Sequence, residues 1–339
     1  MKKKQLPYIL LVCVCCVQSF HIEAQDPHFS QYFTSPMTIN PALIGKDVSN
    51  WRTIANFRSQ WWGESVAPYT TTALSLEKSI HTGNSGKSIL GFGISLLTDQ
   101  SNSGLLKNNY FSIGSAYNIA LDRVGKEFLG IGLAGTYANR LLDASKFQFQ
   151  SQFGSMGFQR SVPSGDPVNI LSNTYWDANV GIRYSKKVRN CEYGFGAAVF
   201  HASRPTAGIL NNSSYTVDQR ISLQAGTSVY LKNKDEFCLS SILDMQGGNS
   251  IYTLGGVYKS NLGDKMEKLN LGLWYRFNDA IYPYVALEVK NWMIGLTYDV
   301  ITSNLKNSYS SVQSMEVSLA LFFGSKKNPV ARQDHMLIY

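Results

Sequence analysis

The chain has 339 residues, including 28 Gly, 19 Tyr and 17 Phe, but only 16% are charged and the formal net charge is +8. A soluble domain carries about 25% charged residues, so part of this surface is not built to meet water. The positive excess is too modest to mark a nucleic-acid-binding protein.

In chain order, residues 1–24 read first as a secretory signal. Lys2, Lys3 and Lys4 precede an apolar run from Leu6 to Val17, and Ile22-Glu23-Ala24 offers a cleavage site that leaves Gln25 as the mature N-terminus. The run is shorter than the about 20 residues of a membrane helix. Neither Cys13, Cys15 nor Cys16 follows a Gly, Ala or Ser, which argues against a lipoprotein. Cleavage removes three lysines and one glutamate, lowering the net charge by two, from +8 to +6. It leaves Cys191 and Cys238, on predicted strands that are not neighbours, so no disulfide is expected. Residues 25–50 come next, with Pro27, Pro36 and Pro41 too close together for a long helix. This segment is expected in the periplasm or in a lumen.

From residue 51 to residue 323 the hydropathy alternates with period 2, and about fourteen strands of about ten residues are predicted, the length of a tilted bilayer crossing. In 107–120, Phe111, Ile113, Tyr117 and Ile119 oppose Ser112, Gly114, Ala116 and Asn118. The stretches 267–277, 292–300 and 312–323 repeat the pattern. The strand at 126–138 holds Gly130, Gly132 and Gly135, which spell G-x-G-x-x-G. That fingerprint binds a dinucleotide only between a strand and a helix N-terminus. Here the glycines lie inside the strand and no helical pattern follows, so no cofactor is expected.

The connections alternate in length. Short ones at residues 81–87, "LDRVG", "KVRN", "KNKD", "LGDKM" and Lys290-Asn291 are assigned to the periplasm, and long ones at 139–173 and 202–218 to the outside. A β-sandwich also alternates, but its outward face carries charge. Here the polar faces are mostly Gly, Ser, Ala, Asn and Thr, which suits a narrow lumen. Trp61, Trp62, Tyr69, Tyr110, Tyr282, Tyr284 and Trp292 near strand ends are expected to form interfacial girdles. The fold class expected is all-β, a transmembrane antiparallel barrel of the outer membrane, with a C-terminal periplasmic tail at 324–339.

Within 139–173, Phe147, Phe149, Phe153, Met156 and Phe158 are an apolar load for a water-facing loop. Three readings stay open: a lumen plug, a partner-contact surface, or a loop packed on its own barrel. Histidines are scattered, and none has a second histidine at metal-ligand spacing. His201 with Asp218 and a serine is the nearest approach to a hydrolase site. A lone strand-end histidine is more often polar rim, so the chain is expected not to be an enzyme.

Two N-terminal stretches add a resemblance. "QDPHFSQYFTSPMTINPALIG" (25–45) and "WRTIANFRSQWWG" (51–63), with their Gln-Asp-Pro, Phe-Ser-Gln-Tyr, Asn-Pro-Ala and Arg-x-Gln-Trp runs, resemble the start of the PorP/SprF family of type IX secretion outer-membrane proteins. The resemblance implies a noncatalytic barrel of secretion or gliding machinery. Its implied partners are type IX secretion components or a secreted surface adhesin, besides outer-membrane lipid. The alternative is a passive or substrate-specific outer-membrane channel.

Overall fold

A computed structural model describes residues 25–46, 51–62, 67–82, 87–101, 104–165, 170–209, 215–231, 233–263, 267–303 and 313–323. The expected signal at 1–24 and tail at 324–339 lie outside the described residues. The strands are β1 (Trp51–Trp62), β2 (Tyr69–Thr82), β3 (Ser88–Ser101), β4 (Leu106–Ala120), β5 (Glu127–Asp143), β6 (Phe153–Gly154), β7 (Gly157–Phe158), β8 (Ile170–Val188), β9 (Cys191–Phe200), β10 (Arg220–Tyr230), β11 (Glu236–Gln246), β12 (Asn249–Asn261), β13 (Glu267–Arg276), β14 (Ala280–Val289), β15 (Trp292–Ile301) and β16 (Gln313–Phe323). β6 and β7 form a small separate hairpin; the other fourteen pair antiparallel in sequence order and close, with β16 against β1 and Trp51 opposite Phe323. Closure leaves no sheet edge to be satisfied in lipid, which is the reason barrels can span membranes.

The period-2 pattern decides which face is which. In β13, Leu271 and Leu273 are exposed while Asn270, Trp274 and Arg276 are buried. In β15, Ile294, Leu296, Tyr298 and Val300 point out and Thr297 and Asp299 point in. An outward apolar band around an inward polar lining is what a lipid-facing barrel requires. The short connections gather at the end where β1 starts and β16 ends. Their tight turns are built by residues with left-handed backbone, such as Arg189 (φ 54°) and Lys290 (φ 50°).

Three differences from expectation have physical causes. Tyr110, Tyr282 and Tyr284 are not girdle residues: Tyr282 and Tyr284 are 1% and 3% exposed, and Tyr110 packs on inward clusters. Their strand-end position was legible, but their side followed from register. Trp61 and Tyr69 are exposed and meet edge to face at 5.1 Å, as a girdle pair would. The long loop is shorter than expected, because β5 runs on to Asp143 and β8 begins at Ile170, paired with each other beyond the apolar band. Finally, the lining is not only small and neutral: Arg52, Arg58, Glu77, Asp177, Arg220, Arg276, Asp299 and Glu316 are all buried inside. Cys191 and Cys238 are free, on β9 and β11 with β10 between them.

Candidate functional site: the occupied lumen

Residues 25–46 fill the lumen. They run from the long-loop end, at Asp26, to the short-turn end, at Gly45, as three short turns at Tyr32–Thr34, Pro36–Ile39 and Pro41–Leu43. Pro36 and Pro41 each start a turn, where a missing N–H costs nothing and the fixed φ is already helical. Fourteen strands enclose more space than inward side chains alone can fill, and this segment supplies the missing core. Phe33 stacks on Trp274 at 5.0 Å and meets Tyr284 edge-on at 5.0 Å, while Tyr32 meets Trp274 edge-on at 5.3 Å.

Polar clamps hold the segment at three heights. At the long-loop end, Asp26 accepts from His201 Nε2 at 2.8 Å, lies 3.3 Å from Arg220 Nε, and donates its backbone N–H to Gln246 Oε1 at 2.8 Å. His201 Nδ1 is 2.8 Å from Asp177 Oδ2. Burial alone would push the imidazole toward neutrality, but the Asp26 and Asp177 carboxylates outweigh it and raise its pKa to about 9. Two carboxylates thus face two cations, His201 and Arg220, and the cluster is charge-balanced.

At mid-height, Ser30 donates through Oγ to Asp299 at 2.9 Å and through its backbone N–H to Glu316 Oε2 at 2.7 Å. Arg276 Nη2 and Arg58 Nη2 donate to the same Asp299 at 2.7 and 3.1 Å. Gln31 uses both ends of its amide, accepting from Ser318 Oγ at 2.6 Å and donating to the Glu316 carbonyl at 3.1 Å. These pairs are buried, and removing one partner of a buried pair costs about 3–5 kcal/mol.

Lower down, Asn40 Oδ1 caps its own turn by accepting from the Ala42 N–H at 2.8 Å, and its Nδ2 donates to Gln224 Oε1 at 2.9 Å and to the Ile182 carbonyl at 3.0 Å. Gln224 returns a bond to the Ile39 carbonyl at 3.1 Å. The chain then presses onto strand backbone. A Cβ on Gly132 would lie 2.3 Å from Ala42 N, and one on Gly91 would lie 2.1 Å from the Ile44 carbonyl oxygen. Gly45, at φ 66°, donates to Glu77 Oε2 at 2.9 Å, and Arg52 closes the clamp on the same oxygen at 2.7 Å.

The sequence motifs are therefore the clamps themselves. Gln-Asp-Pro supplies Asp26, Phe-Ser-Gln-Tyr supplies Ser30 and Gln31, Asn-Pro-Ala supplies the capped turn, and the β1 run supplies Arg52 and Arg58. The G-x-G-x-x-G is a steric feature, with Gly132 beneath Pro41-Ala42. Sequence reasoning missed the acid partners of His201, which are Asp26 and Asp177 rather than Asp218. Ser203 Oγ donates to Asp177 at 2.9 Å, and a histidine charged at neutral pH is a poor general base. Of the loop aromatics, Phe147, Phe153 and Met156 are exposed, and Phe149 and Phe158 are half-buried. They pair as Phe147 with Phe149 at 6.0 Å and Phe153 with Phe158 at 5.5 Å across the β6–β7 hairpin.

Among solved structures, the toluene transporter TbuX of Ralstonia pickettii is similar with a TM-score of 0.49 at 13% identity, covering 86% of this chain and 94% of its own. A FadL homologue of Pseudomonas aeruginosa is similar with a TM-score of 0.47 at 10% identity, covering 84% and 92%. The toluene transporter TodX of Pseudomonas putida gives 0.47 at 10% identity, covering 88% and 94%. No curated protein matches the sequence significantly. The family model described as type IX secretion system membrane protein PorP/SprF matches residues 21–321, which span the lumenal segment and nearly all of the barrel, and the chain belongs to that family.

Proposed function

We propose that this outer-membrane barrel of the type IX secretion system works by protein contact, holding secretion components or a secreted surface adhesin, and neither conducts a solute nor catalyses a reaction. The observation that carries this reading is the occupied lumen: residues 25–46 are clamped by buried charge pairs along its height. A barrel so filled has its surfaces left for work. The exposed aromatic loop supports a contact role, because apolar side chains held in water at a loop tip are stabilised when a partner covers them. Phe147, Phe149, Phe153, Met156 and Phe158 are the contact residues proposed. The test is co-purification from native outer membrane in mild detergent. Replacing Phe147, Phe149, Phe153 and Phe158 together by Ser is expected to cut partner recovery by about tenfold, the effect of losing about 1.4 kcal/mol, with barrel assembly unchanged. Undiminished recovery from a normally assembled variant removes the loop from the reading.

A further inference from the structure

At the short-turn end, below the lumenal segment, a cavity of about 290 Å³ opens toward the periplasmic side. Lys46 from the end of the lumenal segment, Lys87 and Lys126 from two turns, and Arg183 and Lys187 from β8 line it, with Glu192 as the one acid among the described lining residues. Five cations against one carboxylate in a mouth walled by protein concentrate a positive field. The side chains are held in place. Lys187 sits over the Tyr230 ring at 4.1 Å, the Tyr230 hydroxyl donates to Glu192 at 3.3 Å, and Lys87 donates to the Arg123 carbonyl of the next turn.

The inner wall carries a second, independent feature. Asn118 lines the cavity, is 2% exposed, and has no hydrogen-bond partner for either its amide nitrogen or its amide oxygen. A buried polar group left unpaired is costly, so a ligand that pairs it is favoured there. Gly130 on the neighbouring strand keeps room beside it: a Cβ there would stand 2.5 Å from Asn118 Oδ1. The amide offers one donor side and one acceptor side. An isolated carboxylate answers only the donor side.

We propose that this mouth binds a carboxylate with an N–H beside it, the chemistry of a peptide carboxyl terminus. The terminal oxygens accept from Asn118 Nδ2 and meet the lysine charges, while the adjacent amide N–H donates to Asn118 Oδ1. The site lies at the opposite end of the barrel from the aromatic loop and does not depend on that loop's role.

Calorimetric titration of the full-length protein in detergent tests it with three probes: N-acetyl-Ala-Ala, its carboxy-terminal amide, and inorganic phosphate. N-acetyl-Ala-Ala is expected to bind, with the amide at least about tenfold weaker, since tenfold corresponds to about 1.4 kcal/mol. Asn118→Asp keeps the shape and adds a repelling charge, and is expected to weaken binding by about tenfold or more. Lys126→Gln changes only an exposed rim charge, so it keeps the test open should the first variant misassemble, and is expected to weaken binding by about threefold, the size of a screened charge contact. Equal binding of acid and amide, binding of phosphate without the peptide, or no binding of any probe overturns the proposal.

Discussion

Gly132 shows how closely the lumenal segment fits. Its inward face is where Pro41 and Ala42 pass, and a Cβ placed there would lie 2.3 Å from backbone that has nowhere to move. Gly135, three residues along the same strand, has nothing within 4 Å of its would-be Cβ. The two glycines therefore separate a steric requirement from composition. Gly132→Ala is expected to cost about 1–3 kcal/mol by overpacking, read as a lower thermal midpoint in detergent. Gly135→Ala is expected to leave the midpoint nearly unchanged. If Gly135→Ala proves the more damaging, the segment does not sit as described. Period 2 was enough to put Gly130 and Gly132 on the inward face and Gly135 on the outward one, where the structure has them. What the inward two faced was not legible, because the contacting residues lie about ninety positions earlier in the chain and reach them only after closure.

At the level of elements, strands were legible, and the N-terminal segment was legible only as a stretch in the periplasm or in a lumen. Outward faces repeat Leu, Ile, Val and aromatic residues because lipid demands it, and that demand is written locally in each strand. The lumenal segment has no period, and its clamps join residues far apart: Asp26 to His201, and Ser30 to Glu316 and Asp299. Its motifs could be recognised but their partners could not. The same distance hid the acid partners of His201. That latch has a consequence in pH. The imidazole's folded pKa of about 9 lies above its ordinary 6.5, so the protonated form favours the folded clamp. Its contribution, on the order of 3 kcal/mol from the size of the shift, is complete below about pH 6.5 and is lost as pH rises through about 9. Asp26, Asp177 and Arg220 are the charged groups facing it. Thermal midpoints measured from about pH 6 to about pH 10 are expected to fall in this window for the natural protein. In His201→Gln the fall is expected to be much shallower. Parallel curves would show that the latch does not set the alkaline limit.

Across the whole molecule, strand count and filling have to agree. Eight strands close around their own side chains, whereas barrels of 16–18 strands leave water inside. Fourteen lie between, and this chain makes up the difference with its own N-terminal residues, locked by charge pairs whose buried partners cost several kcal/mol to separate. That arrangement sets contact against conduction as functions. In planar bilayers the natural protein is expected to show no steady conductance. A variant lacking residues 25–46 is expected to conduct steadily if its gel mobility still shifts on boiling, the sign of a closed barrel. Should that variant fail to assemble, Ser30→Ala combined with Arg276→Met loosens the middle clamp while keeping the segment, and brief openings are expected instead. Steady conductance by the natural protein would mean that the segment leaves a continuous path or moves aside readily, and the clamps would then be a gate in a channel instead of a permanent core.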